Sequence, residues 1–351
     1  MILFSKNRGV SLLSNNKIPS AVIYGYEGLI PTEAELAFFK DVNPLGFILF
    51  ARNIDNPEQV KRAVKALKAC VGWECPVLID QEGGRVARLK PPHWGKYPAV
   101  KTFADIYTKN GKDEAKEAVY YNYRLLGEEL YELGINVDCA PVMDLLVEGA
   151  HDIIGDRSFG SDPKQVAELA IENAKGLIDS GVLPVIKHIP GHGRALVDSH
   201  EDLPTVDTPL EVLQQTDFAS FKYVADKPWW AMTAHIVYNA VDDKLPATQS
   251  SKMINLIRND IGFDGFLISD DLSMKALKGT FKEKAEKSLE AGCDAVLHCN
   301  GNMEEMLDVA KGVKTLTESS RLRLEKSLSV LKAPVDLNKT YAESLLKKAV
   351  G

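Results

Sequence analysis

The chain has 351 residues, 45% hydrophobic and 26% charged, ordinary proportions for a folded globular protein and unlike those of a disordered or fibrous one. Lys plus Arg number 42 against 49 Asp plus Glu, a net charge of −7, which argues against a surface built to grip nucleic acid or an anionic membrane. No stretch approaches the roughly 18 unbroken apolar residues of a membrane span, and the opening MILFSKNRGV turns polar after Phe4, so no signal-peptide core is expected.

Short apolar, β-branched runs recur along the chain at Ala21–Tyr24, Gly46–Phe50, Val77–Asp80, Asn136–Cys139, Val185–His188, Ala231–Ala234, Leu267–Asp270 and Ala295–His298. Most are continuously hydrophobic, as strands buried on both faces should be. Helical patterns separate them. Val60, Ala63, Val64, Leu67 and Cys70 share one face after the second run, and Val166, Leu169, Ala170, Leu177 and Ile178 do so after the fourth. Thr32 with Glu35 reads as a capping box. Asn56–Pro57, Asp162–Pro163 and Thr208–Pro209 each place a capping side chain before a proline at the first helical position. Gly181 suits a left-handed helix stop.

Eight strands alternating with helices point to an α/β fold, a (β/α)8 TIM-type barrel. The alternative, a doubly wound sheet, lacks its GxGxxG turn after the first strand and any Walker lysine loop. With no linker or low-complexity tract, the expectation is one domain over 1–351, its motifs between about 21 and 300 and a helical tail behind them. The starts of the third to sixth strands lie 59, 49 and 46 residues apart, against 25 between the first two. The surplus is expected in loops on the active-site face. The five cysteines, Cys70, Cys75, Cys139, Cys293 and Cys299, contain no CxxC pair and sit mostly in apolar runs. They read as buried hydrophobes of a reducing, cytoplasmic compartment.

Polar residues gather where these strands end. Asp80 closes the third, His188 the fifth and Asp270 the seventh, while His235 follows the sixth. A charge that ends an apolar strand is costly to bury unless it faces a polar site, and four on one rim point to a substrate pocket. Of the adjacent Asp270 and Asp271, alternation along a strand sends one to the pocket. Asp270, last in the run that starts at Phe266, is the candidate, as nucleophile or cation ligand; Asp271 reads as a loop or cap residue.

The segment KHIPGHGRALVDSHEDLP, residues 187–204, is broken by glycine and proline and reads as a movable loop. Pro190 and Gly191 exclude a zinc-binding helix through His188 and His192. Asp198 and His200 are close enough for the carboxylate to bond one imidazole nitrogen, raising its pKa and leaving the other to deliver a proton near neutral pH. Taken alone, such a pair is more often simply solvated. Asp80, Arg88, Arg157 and Lys187 are candidates for gripping hydroxyls or an anion. Gly83 and Gly84 read as a tight turn letting backbone approach a ligand.

Together IDQEGGRVARL, GDRSFGSDP, KHIPGHG with DSHEDLP, AMTAHIVY with PATQSSKMI, and ISDDLSM resemble the glycoside hydrolase family 3 β-N-acetylhexosaminidases, in order from about Ala21 to Asn300. The likeness is to single-domain bacterial enzymes of peptidoglycan recycling. It implies Asp270 as nucleophile, His200 as acid/base with Asp198 as its partner, and Asp80, Arg88, Arg157, Lys187 and His188 as sugar-binding residues. Ile189 departs from the aromatic residue of many relatives. The resemblance also implies a cytoplasmic enzyme without metal or cofactor. Its substrate would be a small saccharide or muropeptide bearing terminal N-acetylglucosamine; neither nucleic acid nor membrane is an expected partner, and a monomer is the expected state. The acetamido preference comes from this likeness alone. Three alternatives stand beside hydrolysis: phosphorolysis of the same covalent intermediate, a sugar-binding barrel without turnover, and a lyase acting through an imine of Lys187.

Overall fold

The computed structural model describes residues 17–195, 197, 199 and 203–350. Among the described residues ten strands run in chain order: β1 (Ser20–Tyr24), β2 (Pro44–Leu49), β3 (Val77–Ile79), β4 (Val137–Asp138), β5 (Leu183–Ile189), β6 (Thr205–Val206), β7 (Trp230–Thr233), β8 (Val237–Tyr238), β9 (Phe266–Asp271) and β10 (Ala295–His298). Eight of them close a barrel in the order β1-β10-β9-β7-β5-β4-β3-β2, every neighbour parallel. All eight barrel strands coincide with the apolar runs of the sequence. Strands β6 and β8 form a separate two-stranded ribbon.

Parity along the strands splits the core in two. Ala21 and Ile23, Val137 and Cys139, Leu183 and Val185, Trp230 and Met232, Phe266 and Ile268, and Ala295 and Leu297 fill the barrel interior. Leu316 and Leu324 join this inner core beneath Trp230, whose indole N–H donates to Ser327 Oγ at 2.8 Å. The intervening residues, such as Val22, Tyr24, Ile186 and Leu267, pack outward against the helices. Strands buried on both faces explain why the runs read as continuous hydrophobics.

Several helix starts follow the sequence closely. Thr32 and Glu35 form the reciprocal capping box, and Asn56 and Asp162 accept the amides of Gln59 and Gln165, each with proline in the first turn. Helix Pro163–Asp179 ends as expected: Gly181, at φ 77°, donates to Ile178, and Val182 donates to Leu177 at 2.9 Å. Thr208 does not cap. Helix Leu210–Gln215 starts one residue later than expected, because Pro209 keeps extended backbone and occupies the cap position.

The spacing placed the surplus after β3 in loops, but much of it is helical. It contains helices Lys101–Lys109 and Lys112–Glu132. The second of these packs on Pro163–Asp179 and also receives the C-terminal helix Lys339–Val350, through Lys339 to Glu128 and Tyr341 to Glu117. Cys75, Cys139, Cys293 and Cys299 are buried and Cys70 half-buried, the hydrophobic use expected of them.

Candidate active site

The parity that builds the inner core also aims the site. Asp80 follows Leu78 by two residues, Lys187 follows Val185, and Asp270 follows Ile268, so each continues an inward-facing row at the carboxyl end of its strand. There they line a cavity of about 210 Å3 with Glu82, Arg88, Arg157 and His188. Ile48, Phe50, Met232 and Leu297 supply an apolar wall, and Arg88 lies 5.2 Å from the centre of the Phe50 ring.

One buried ammonium organises the carboxylates. Lys187 Nζ lies 2.8 Å from Asp80 Oδ1 and 2.6 Å from Glu82 Oε1. Arg157 donates Nε and Nη2 to the two oxygens of Glu82, both at 2.8 Å, and Arg88 reaches Asp80 at 3.2 Å. Burial opposes charge on Asp80, but Lys187 and Arg88 overcome it and hold the carboxyl below its ordinary range. Burial likewise raises Glu82, and Arg157 with Lys187 brings it down to about 2. Burial also works against the Lys187 charge, yet its two carboxylates raise its pKa on balance. A lysine held so firmly as an ammonium is no imine-forming nucleophile, so the lyase reading is set aside.

Glu82 was legible in the sequence only as part of a turn. An unfolded glutamate titrates near ~4.3. Its lower folded value means that Glu82 stabilises fully above that pH and loses the contribution as pH falls toward about 2. Glu82→Gln is therefore expected to cost about 3 kcal/mol at neutral pH. The cost should shrink by about 1 kcal/mol at a pH of roughly 3.5, measured by urea denaturation. An equal cost at both pH values would refute this account.

The sequence-based assignment of Gly83 and Gly84 to ligand approach is corrected. Their positive φ angles, 90° and 58°, make a turn packed on the chain itself. A Cβ would lie 2.4 Å from Pro98 O at the first and 2.6 Å from Ala99 Cβ at the second. His235 is corrected too. It is buried away from the cavity lining, with Nδ1 2.7 Å from Thr248 Oγ1 and Nε2 3.1 Å from the carbonyl of Asp271. It is a core hydrogen-bonder. Asp271, expected in a loop or cap, ends β9 and lines the cavity beside Asp270. Its carboxylate nevertheless does turn work, accepting the amides of Ser273 at 3.0 Å and Cys299 at 3.1 Å.

His188 breaks parity. As the neighbour of inward-facing Lys187 it should turn outward, yet both line the cavity. Its φ of 127° and the register shift between β5 and β7 at this point make a bulge that re-aims the ring. Beneath it lies fully buried Asp144, Oδ2 2.6 Å from His188 Nδ1 and Oδ1 accepting the His192 backbone N–H at 2.6 Å. Burial raises Asp144 to about 7 and lowers His188 to about 3, so the imidazole is neutral at physiological pH. No strand end or motif in the sequence marked Asp144. His192 also lines the cavity, with Nε2 3.1 Å from Ser199 Oγ. Asp198 and His200 lie outside the described residues, while Ser199 between them lines the cavity. Among the described residues no group of three or more His, Cys, Asp or Glu is arranged to hold a metal ion.

A parallel barrel that gathers carboxylates, two histidines and paired cations at the carboxyl end of its strands is suited to bind a polar ligand and carry acid–base or nucleophilic chemistry on it. Residues 29–331 match the model of the glycosyl hydrolase family 3 N-terminal domain, and the chain belongs to that family and is a glycoside hydrolase. It is 39% identical over 272 residues to a β-hexosaminidase of Neisseria meningitidis serogroup B, covering 77% of this chain and 75% of that one. A β-hexosaminidase of Actinobacillus pleuropneumoniae is 34% identical over 294 residues, covering 82% of each chain. The crystal structure of native NagZ from Neisseria gonorrhoeae superposes with a TM-score of 0.85 at 32% identity, over 95% of this chain and 98% of that one. The family expected from the motifs is thus the family found.

Proposed function

We propose that the protein is a retaining β-N-acetylhexosaminidase that removes terminal, non-reducing N-acetylglucosamine from peptidoglycan fragments such as 1,6-anhydro-muropeptides, in the cytoplasm and without a cofactor. The observation that carries this reading is the convergence of inward-facing Asp270 and the Asp80, Lys187 and Arg157 cluster on one cavity whose lining includes Ser199. The similarity to Neisseria β-hexosaminidases supports the acetamido preference. NagZ of Neisseria gonorrhoeae has been crystallised with N-trifluoroacetyl-D-glucosamine, which supports a saccharide ligand.

In this mechanism the Asp270 carboxylate attacks the anomeric carbon. The glycosidic C–O bond breaks, and His200, entering as imidazolium, gives its proton to the departing oxygen. Neutral His200 then takes a proton from water as it attacks the glycosyl–aspartate, which releases N-acetylglucosamine with the β configuration retained. Asp198 would hold the His200 ring and favour its charged form. Most retaining enzymes use two carboxylates; an imidazole, with an ordinary pKa near ~6.5, needs little adjustment to act near neutral pH. Asp80, Arg88, Arg157, Lys187 and His188 would bind the sugar, Arg157 while also paired with Glu82.

The test is hydrolysis of p-nitrophenyl β-glycosides, with and without phosphate, followed by NMR of the first-formed anomer. The expected result is turnover of the N-acetylglucosaminide over the glucoside by at least about 100-fold, with β product first. Sugar 1-phosphate formed in phosphate would make the enzyme a phosphorylase. An α product would overturn the covalent pathway.

A further inference from the structure

The buried carboxylate beneath the sugar site has a task that its hydrogen bonds define. We infer that Asp144 is a positioning residue that fixes His188 in the Nδ1–H tautomer, so that Nε2 meets the saccharide as a hydrogen-bond acceptor for one of its hydroxyls. The kinetic consequence rests on the glycosidase reading above; the tautomer does not.

The geometry leaves little freedom. One oxygen of Asp144 is committed to the His192 N–H, a backbone donor that cannot reverse its role, at 2.6 Å. The other faces His188 Nδ1 at the same distance, a short contact of the kind a charged partner favours. Asp144 also has its backbone carbonyl tied to Ser158 Oγ at 2.7 Å, so the carboxylate is anchored from behind. Ionised above a pH of about 7, Asp144 offers only an acceptor to Nδ1, which places the ring proton there, and in a neutral imidazole the other nitrogen then carries a lone pair. Nδ1 is thereby occupied, and Nε2 is the ring nitrogen left for a ligand in the cavity that His188 lines. The bulge in β5 turns the ring toward the cavity, and Asp144 decides which way its hydrogen bond runs. Neighbouring Lys187 supplies donors only, so the pair can present a donor and an acceptor to adjacent hydroxyls.

Asparagine at 144 provides a discriminating variant. Its amide oxygen would remain on the His192 N–H, which puts the NH2 against His188 Nδ1. That nitrogen must then accept, the proton moves to Nε2, and the polarity presented to the sugar is reversed while shape and burial are kept.

The experiment uses the full-length protein with 15N-labelled histidine at pH 8, above the value of about 7 of Asp144. His188 is assigned from the signal lost in His188→Gln. The Nδ1–H tautomer is expected in the wild type and the Nε2–H tautomer in Asp144→Asn. In parallel, kcat/KM is measured on N-acetylglucosaminides lacking one ring hydroxyl at a time. We expect Asp144→Asn to lose about 10- to 100-fold on the parent sugar. We also expect the deoxy sugar most impaired in the wild type to be impaired no further, within about twofold, in the variant. A merely structural role would lower activity on all sugars alike without moving the ring proton. An Nε2–H wild type, an unchanged tautomer in Asp144→Asn, or a deoxy penalty that persists in the variant would overturn the inference. Should the wild type cleave none of the sugars, the proposed function fails while the NMR arm still decides the tautomer.

Discussion

Asp270→Ala is expected to lose roughly 10⁴-fold or more in kcat/KM, the scale seen when a nucleophile is removed from a working catalytic unit. Asp270 continues the inward row of Phe266 and Ile268 and opens into the cavity. The Asp271 amide donates to Asp270 Oδ1 at 2.8 Å and orients the carboxylate. Removing the carboxylate leaves a space that a small anion can enter. Azide should then restore turnover on a substrate with a good leaving group and give the α-glycosyl azide, because it attacks from the face Asp270 used. Incubation of the wild type with a slowly turned-over fluorinated sugar, followed by peptide mass spectrometry, should find the label on Asp270. Residual activity within tenfold of wild type, or a label elsewhere, would remove Asp270 from the nucleophile role.

Lys187→Met is expected to damage both stability and turnover, by about 3–5 kcal/mol and by at least about 100-fold in kcat/KM. Its ammonium is buried within 2.8 Å of Asp80 and 2.6 Å of Glu82, so its loss leaves two carboxylates close together with less compensation. Arg88 and Arg157 remain as partners, one for each, and this keeps the loss short of unfolding. Combining Lys187→Met with Asp80→Asn removes the surplus negative charge. The double variant should therefore be less destabilised than the sum of the two single ones, by about 1–3 kcal/mol in urea denaturation. Strict additivity would show that the pair does not act as a unit. Catalysis should stay low in the double variant, because the hydroxyl-binding groups are gone.

Much of this site could be read before the fold was known, for identifiable reasons. Asp80, His188 and Asp270 stood out because charge is rare at the end of an apolar strand, and all three line the cavity. The same reasoning failed at His235, where the polar residue is satisfied by Thr248 and by a carbonyl inside the core. Strand-end position cannot separate these cases; a hydrogen-bond partner elsewhere in the chain does. Glu82 and Asp144 were missed because each belongs to a turn or an irregular segment, where carboxylates are commonplace. Their significance comes from Arg157, 75 residues from Glu82, and from His188, 44 residues from Asp144. The signal that identifies them is the presence of buried cations needing anions, which only contacts reveal.

The sequence by itself determined the barrel: eight apolar runs with helical stripes between them, caps at Thr32, Asn56 and Asp162, and the motif order of a family 3 hydrolase. These are local properties, set by periodicity and by hydrogen bonds between near neighbours. The tertiary structure decided which charges meet, and that Lys187 and His188 can face one cavity although consecutive strand residues should diverge. The bulge at His188 and the carboxylate of Asp144 behind it require β5 to be registered against β7 and packed beside the segment after β4. Such a relation exists only once the barrel has closed.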